Sequence, residues 1–119
     1  MAKGIVLVID DEESIRNLLR EMLSERGYEV CAVAGLEEAR LAVVALHSAP
    51  DVAFVDVHLE HSNGLDVVLT LRSVPRLAGT TFVAISGDLV LTQEQAEAAG
   101  CAGFVPKPFR EAAFQPYLP

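Results

Sequence analysis

Three short apolar runs in this chain each end on residues that can hold or read a phosphate. Val8-Ile9 leads into Asp10-Asp11, Ala53-Phe54-Val55 leads into Asp56, and Phe104-Val105-Pro106 leads into Lys107-Pro108-Phe109. Such runs suit buried parallel strands, and in an open α/β sheet ligands bind outside the carboxyl ends of the strands. Three carboxylates converging there repel one another unless a cation joins them. Lys107 is one cation, and a divalent metal is the second. The chemistry that fits is metal-assisted phosphoryl transfer onto an aspartate, which needs mainly positioning and charge neutralisation.

The elements that must position these groups alternate along the chain. Ile5 to Ile9 is a continuous, β-branched-rich run that predicts a strand covered on both faces. Ile15, Leu18, Leu19, Met22 and Leu23 form one helical face, ended by Gly27. Tyr28 to Val33 reads as the second strand. Leu36, Ala39, Val43 and Leu46 mark a second helix that stops near Pro50. Val52 to Val55 is the third strand. A polar loop from His58 to Asn63 then leads through Gly64 to a helix with Leu65, Val68 and Leu69 inward. Thr81 to Ile85 is the fourth strand, Leu91 to Ala99 a weaker helix closed by Gly100, and Gly103 to Val105 a short fifth strand. The tail from Phe109 begins as a helix that Pro116 and Pro119 limit. The pattern predicts (βα)5: one α/β domain spanning residues 1–119, a doubly wound parallel sheet with helices on both faces.

Composition narrows the partners. The 119 residues are 51% hydrophobic and 22% charged, enough for a core and against disorder. The net charge of -8 argues against direct nucleic-acid binding, which needs clustered Lys and Arg. Of nine basic residues only Lys3 and Lys107 are lysines, and Lys107 lies between two prolines after an apolar run, which marks it for a role. Cys31 and Cys101 have no metal-ligand spacing and read as free thiols. No signal peptide or membrane span is visible, so a soluble, cytoplasmic protein is expected.

At these residues the chain resembles the receiver domain of two-component response regulators. Four separated features agree in order and spacing: Val8-Ile9-Asp10-Asp11-Glu12, the strand-terminal Asp56, Ala84-Ile85-Ser86-Gly87, and Lys107-Pro108-Phe109. The resemblance implies a flavodoxin-like sheet with strand order 2-1-3-4-5. It implies that Asp56 accepts a phosphoryl group from a phosphohistidine on a histidine kinase or histidine phosphotransfer protein. Mg²⁺, with Mn²⁺ as a substitute, would be held by Asp11, Asp56 and the backbone carbonyl of His58, with Asp10 reaching it through water. Lys107 would pair with Asp56 at rest and with a phosphate oxygen afterwards. Its bond to Pro108 is cis by the same resemblance. Ser86 and Phe104 would form the switch, with Phe104 lying outward at rest and burying as Ser86 turns to the phosphoryl group. Asp88 and Glu60 fall at the pocket rim, and His58 and Asp88 are placed to influence the lifetime of the acyl phosphate. The polar face of the first helix, with Arg16 and Arg20, is the expected kinase-docking surface. The domain would catalyse only its own phosphorylation and dephosphorylation, and so is not an enzyme acting on an external substrate. Its oligomeric state is open, a phosphorylation-dependent dimer being one form.

Each residue also has a plainer reading. Acids favour a helix N-terminus, which would account for Asp10 and Asp11. Ser86 could be a turn serine, Phe104 core packing, and His58 and His61 loop residues rather than metal ligands. The sequence departs from the family's pattern where Leu59-Glu60 stands in place of a frequent Met-Pro, Ser86-Gly87 in place of Thr-Ala, and Phe104 in place of tyrosine. The segment from Ser86 to Gly100 is about one residue short. Two rivals remain: a receiver-like interaction module no longer regulated by phosphorylation, and a small Mg²⁺-dependent aspartyl-phosphate hydrolase. The retained Asp10, Asp11, Asp56 and Lys107 oppose the first. His58, where such hydrolases usually carry a second acid, opposes the other.

Overall fold

The β-branched run Ile5–Ile9 forms the first strand, β1, with all five residues buried. The computed structural model describes residues 2–60, 62–87 and 89–119, and of residues 89–92 the backbone alone. After β1 come α1 (Glu13–Glu25), β2 (Glu29–Val33), α2 (Leu36–Ala45) and β3 (Val52–Asp56). A two-residue pair of strands, β4 (His58–Leu59) and β5 (Ser62–Asn63), precedes α3 (Gly64–Arg72). Then follow β6 (Thr81–Ser86), α4 (Leu89–Ala99) and β7 (Gly103–Pro106). The main sheet is parallel, in the order β2-β1-β3-β6-β7. Counting only these five strands, this is the expected 2-1-3-4-5 order.

Alternation along the strands divides the core into two layers. Leu7, Ile9, Ala53, Val55 and Ala84 pack with α2, α3 and α4 through Ala39, Val43, Val68, Leu71 and Ala96. Val6, Val8, Phe54, Val83 and Ile85 pack with Leu19 and Leu23 of α1 and with Phe114. Gly27 and Gly100 follow α1 and α4 with φ of 95° and 92°, a left-handed conformation that favours glycine.

Three expectations are refined. Leu18 and Leu69 are about half exposed, because each lies at the margin of its helix's apolar arc while Leu19, Val67 and Leu71 take the centre. The polar loop after β3 is an antiparallel hairpin, with His58 opposite Asn63 and Leu59 opposite Ser62. The tail forms two 3-10 turns, Glu111–Ala113 and Gln115–Tyr117, rather than a regular helix, with Pro116 inside the second. The tail is nonetheless anchored. The Phe114 ring is fully buried, edge-on to Phe54 at 4.9 Å and to Phe109 at 5.2 Å. Arg26 pairs with Glu111, and the Tyr28 hydroxyl donates to the Pro119 carbonyl at 2.8 Å.

The preference for arginine has a structural use. Arg16 donates to the Asp10 carbonyl, Arg72 to that of Ala99, and Arg76 to those of Val43 and Leu46. The fixed guanidinium fork thus satisfies carbonyls at the ends of α2 and α4 that the helices leave open.

Candidate phosphoacceptor site

Strand register brings the acidic residues together. Ile9 pairs with Val55, so the next residues, Asp10 and Asp56, emerge side by side at the carboxyl edge of the sheet. Asp56 also pairs with Ile85, and Ser86 with Pro106, which sets Ser86 and Lys107 on the far side of Asp56. The Lys107 N–H donates to the Ser86 carbonyl at 2.8 Å. The Lys107-Pro108 peptide is cis.

Among the described residues, the buried polar or charged ones are Asp10, Asp56 and Ser86. Each was singled out in the sequence, and burial of such groups needs compensation. Lys107 Nζ stands 3.1 Å from Asp56 Oδ2 and 3.6 Å from Asp10 Oδ2. Asp56 Oδ1 accepts from the His58 N–H at 3.0 Å, and Asp10 Oδ1 from the Glu12 N–H at 2.9 Å. Asp10 Oδ2 is buried without a hydrogen-bond partner. Burial, and then the neighbouring charges of Asp56 and Asp11, push the Asp10 carboxyl up from 3.8 to about 6, against the Glu12 N–H and Lys107. Burial pulls Lys107 down, but its bond to Asp56 and the charges of Asp56, Asp10 and Glu12 outweigh this and raise it.

Oxygens of Asp10, Asp11 and Asp56 lie within 4.8 Å of one another, close enough for one ion. The donor set is all oxygen, which suits Mg²⁺ rather than a thiophilic metal. The orphaned Asp10 oxygen and the uncompensated acidity of the group fit a bound cation. The His58 side chain is exposed, and its peptide N–H is committed to Asp56. Glu60 is exposed, and its N–H donates to Asp11 Oδ2 at 2.6 Å. Phe104 is half-buried, packed against the core layer of α2, α3 and α4. Asp88 and His61 lie outside the described residues. Arg20 is exposed on α1, whereas Arg16 is half-buried and tied to the Asp10 carbonyl. Burial raises both thiols, that of Cys101 to about 11, so neither is a ready nucleophile.

Two supports were not read from the sequence. Gly64 starts α3 directly against β3, and a Cβ there would lie 1.9 Å from the Asp56 carbonyl oxygen. Its N–H donates to the Val57 carbonyl at 2.8 Å. Asn63 caps the same helix by accepting from the Leu65 N–H at 2.8 Å. The Asn-Gly pair after a polar loop was the available signal. The other support is Arg16, whose signal was an arginine within the first turns of the helix after the acidic pair.

Comparison with known proteins agrees with this geometry. The family model described as response regulator receiver domain matches residues 6–118. The transcriptional regulatory protein PdtaR of Mycobacterium tuberculosis is 36% identical over 107 residues, covering 87% of this chain and 49% of PdtaR. The chain thus spans about half the length of that relative. The polar-differentiation response regulator DivK of Brucella ovis is 31% identical over 121 residues, covering 96% of this chain and 91% of DivK. The solved chemotaxis protein CheY4 of Vibrio cholerae superposes with a TM-score of 0.88 at 26% identity, covering 98% of this chain and 100% of that one.

Proposed function

The chain belongs to the response regulator receiver domains, and on that premise we propose that Asp56 is its phosphoacceptor within a single receiver unit of residues 1–119. The observation that carries this is Asp56 itself: a buried carboxylate at a strand end, held by the His58 N–H on one oxygen and by Lys107 on the other.

The donor is a phosphohistidine on a histidine kinase or phosphotransfer protein. An Asp56 oxygen forms the new P–O bond as the P–N bond to the donor imidazole breaks. The imidazole nitrogen keeps the electron pair and takes a proton. Lys107 neutralises a phosphoryl oxygen and leaves its resting pairing with Asp56 to do so. Asp11, Asp56 and the His58 carbonyl would hold Mg²⁺, or Mn²⁺ in its place, with Asp10 acting through water. The bound ion supplies neutralisation of phosphate charge and orientation of the donor. The Ser86 hydroxyl then bonds the phosphoryl group, and Phe104 moves further into the core. Glu60 lies at the pocket rim, and His58 influences how readily water reaches the acyl phosphate; Asp88, two residues past Ser86 in the sequence, is assigned the same influence from its sequence position. Phosphorylation and its reversal are self-catalysed.

Among the described residues no helix is long and apolar enough to cross a membrane, which is in keeping with a cytoplasmic signalling role. The exposed face of α1 around Arg20 is offered to the phosphodonor protein, while Arg16 serves the β1–α1 loop.

Intact-mass spectrometry after incubation with acetyl phosphate and Mg²⁺ tests the assignment. One phosphoryl group is expected on the protein and none on Asp56→Asn. Labelling that persists in the variant would move the site elsewhere. Sustained turnover of a generic phosphate ester would favour a hydrolase instead.

A further inference from the structure

Asp11 is held by the backbone of a distant hairpin. The Glu60 N–H, 49 positions away, donates to Asp11 Oδ2 at 2.6 Å. Glu60 follows Leu59, which is buried, and the pairing of Leu59 with Ser62 fixes the hairpin around it. The donor is a peptide N–H, so any residue except proline supplies it. The acceptor is a carboxylate, which makes the bond charge-assisted and stronger than a neutral one. A carboxylate oxygen that accepts one bond keeps a second lone pair, and the other oxygen is not engaged by it. Held in this way, Asp11 presents an oxygen within 4.8 Å of oxygens of Asp10 and Asp56.

We propose that the Glu60 peptide is a positioning group for the cation site. It fixes the Asp11 carboxylate toward Asp10 and Asp56 before an ion arrives, and so couples cation affinity to closure of the β4–β5 hairpin. The inference rests on the reading of Asp11 as a Mg²⁺ ligand. Without that bond the half-buried Asp11 side chain, free to rotate about χ1, would lose rotamer freedom on binding the ion. The N–H takes that cost in advance and also lowers the repulsion among the three acids. Because coupling is reciprocal, the bound ion must also protect the hairpin from opening.

The discriminating pair is Glu60→Pro, which deletes the N–H, and Glu60→Ala, which keeps it and removes the side chain. Proline is favoured directly after the first residue of the common β-turns, and Leu59 before it is already extended. An ester in place of the Leu59-Glu60 peptide bond deletes the N–H without a ring, and covers the case in which proline disturbs the hairpin. Mg²⁺ is titrated into each folded protein by calorimetry, and amide spectra are recorded alongside. The residue-60 amide proton should resonate downfield in the wild-type protein and in Glu60→Ala, and move upfield in Asp11→Ala. Mg²⁺ affinity should stay within about twofold in Glu60→Ala and fall roughly ten- to a hundredfold in Glu60→Pro and in the ester, the range expected for one hydrogen bond to a charged group. Equal affinity in all proteins overturns the proposal. So does tighter binding on loss of the N–H, which would make Glu60 a competitor of the ion. If the wild-type protein shows no Asp11-dependent Mg²⁺ binding, the metal reading fails and the proposal with it. Asp11-dependent binding that ignores the N–H sinks the proposal alone.

Discussion

Gly64 and Asp56 pack backbone against backbone: a Cβ on Gly64 would lie 1.9 Å from the Asp56 carbonyl oxygen and 2.8 Å from Val57 Cα. No side-chain rotation relieves a contact made by Cβ itself, so either α3 or the end of β3 must move. Gly64→Ala is therefore expected to destabilise the fold by about 1–3 kcal/mol, the usual range for overpacking. It should also slow phosphoryl uptake at Asp56 on the order of tenfold, because small displacements of a reacting group are costly. Chemical denaturation and acetyl phosphate labelling measure the two effects. Normal stability with normal labelling would mean that the helix start yields freely.

The acidic cluster predicts a metal-dependent stability. With Asp10, Asp11 and Asp56 grouped and Lys107 beside Asp56 and Asp10, the metal-free protein retains repulsion that an ion removes. A ligand that binds only the folded state stabilises it by mass action. Millimolar Mg²⁺ should raise the melting temperature, and Asp11→Ala should lose most of that rise. An equal rise in the variant would place the ion elsewhere.

The raised Asp10 pKa gives this stabilisation a pH dependence. In the unfolded chain Asp10 loses its proton near 3.8, and in the folded, metal-free protein only near 6. The folded state binds the extra proton in between. This group's contribution to stability is therefore complete below about 3.8 and is lost as pH rises through about 6. Mg²⁺ favours the ionised carboxylate and competes with that proton. The increase in melting temperature caused by Mg²⁺ should be small at pH 5 and larger at pH 7.5, and Asp10→Asn should flatten the difference. A metal effect independent of pH in the wild-type protein would contradict the assignment.

Ser86 and Phe104 carry the prediction for switching. Ser86 is fully buried and Phe104 half-buried, and without a hydroxyl the Phe104 ring has no hydrogen bond to hold it outward. Beryllofluoride on Asp56 offers new acceptors to Ser86 and Lys107, which should favour further burial of Phe104. Amide shifts from Ser86 to Phe109 should change far more than those of β2. Changes confined to the loops around Asp11 and Asp56 would describe a domain that is phosphorylated without switching.

Most of the architecture was legible in the chain because it rests on local patterns. Continuous β-branched runs specify buried strands, and their polar terminators, Asp10, Asp56 and Lys107, follow immediately in sequence. A parallel sheet with right-handed crossovers then leaves few ways to arrange five strands. Glycine stops at Gly27 and Gly100 were equally local. The exposure of Leu18 and Leu69 was not, because periodicity marks an apolar arc but not which part of it meets a neighbour.

What the sequence by itself determined is the chemical identity of the site: three carboxylates, a lysine and a hydroxyl at the ends of four strands. Only the tertiary structure decided how they are held. The Glu60 N–H on Asp11, the Gly64 backbone against Asp56 and the Phe114 ring under the sheet are contacts between segments far apart or between backbone groups common to nearly every residue. Residue type does not record which acceptor a peptide N–H will meet or what will press against a glycine. Those follow from strand register and helix placement, which are properties of the whole packed chain rather than of any window within it.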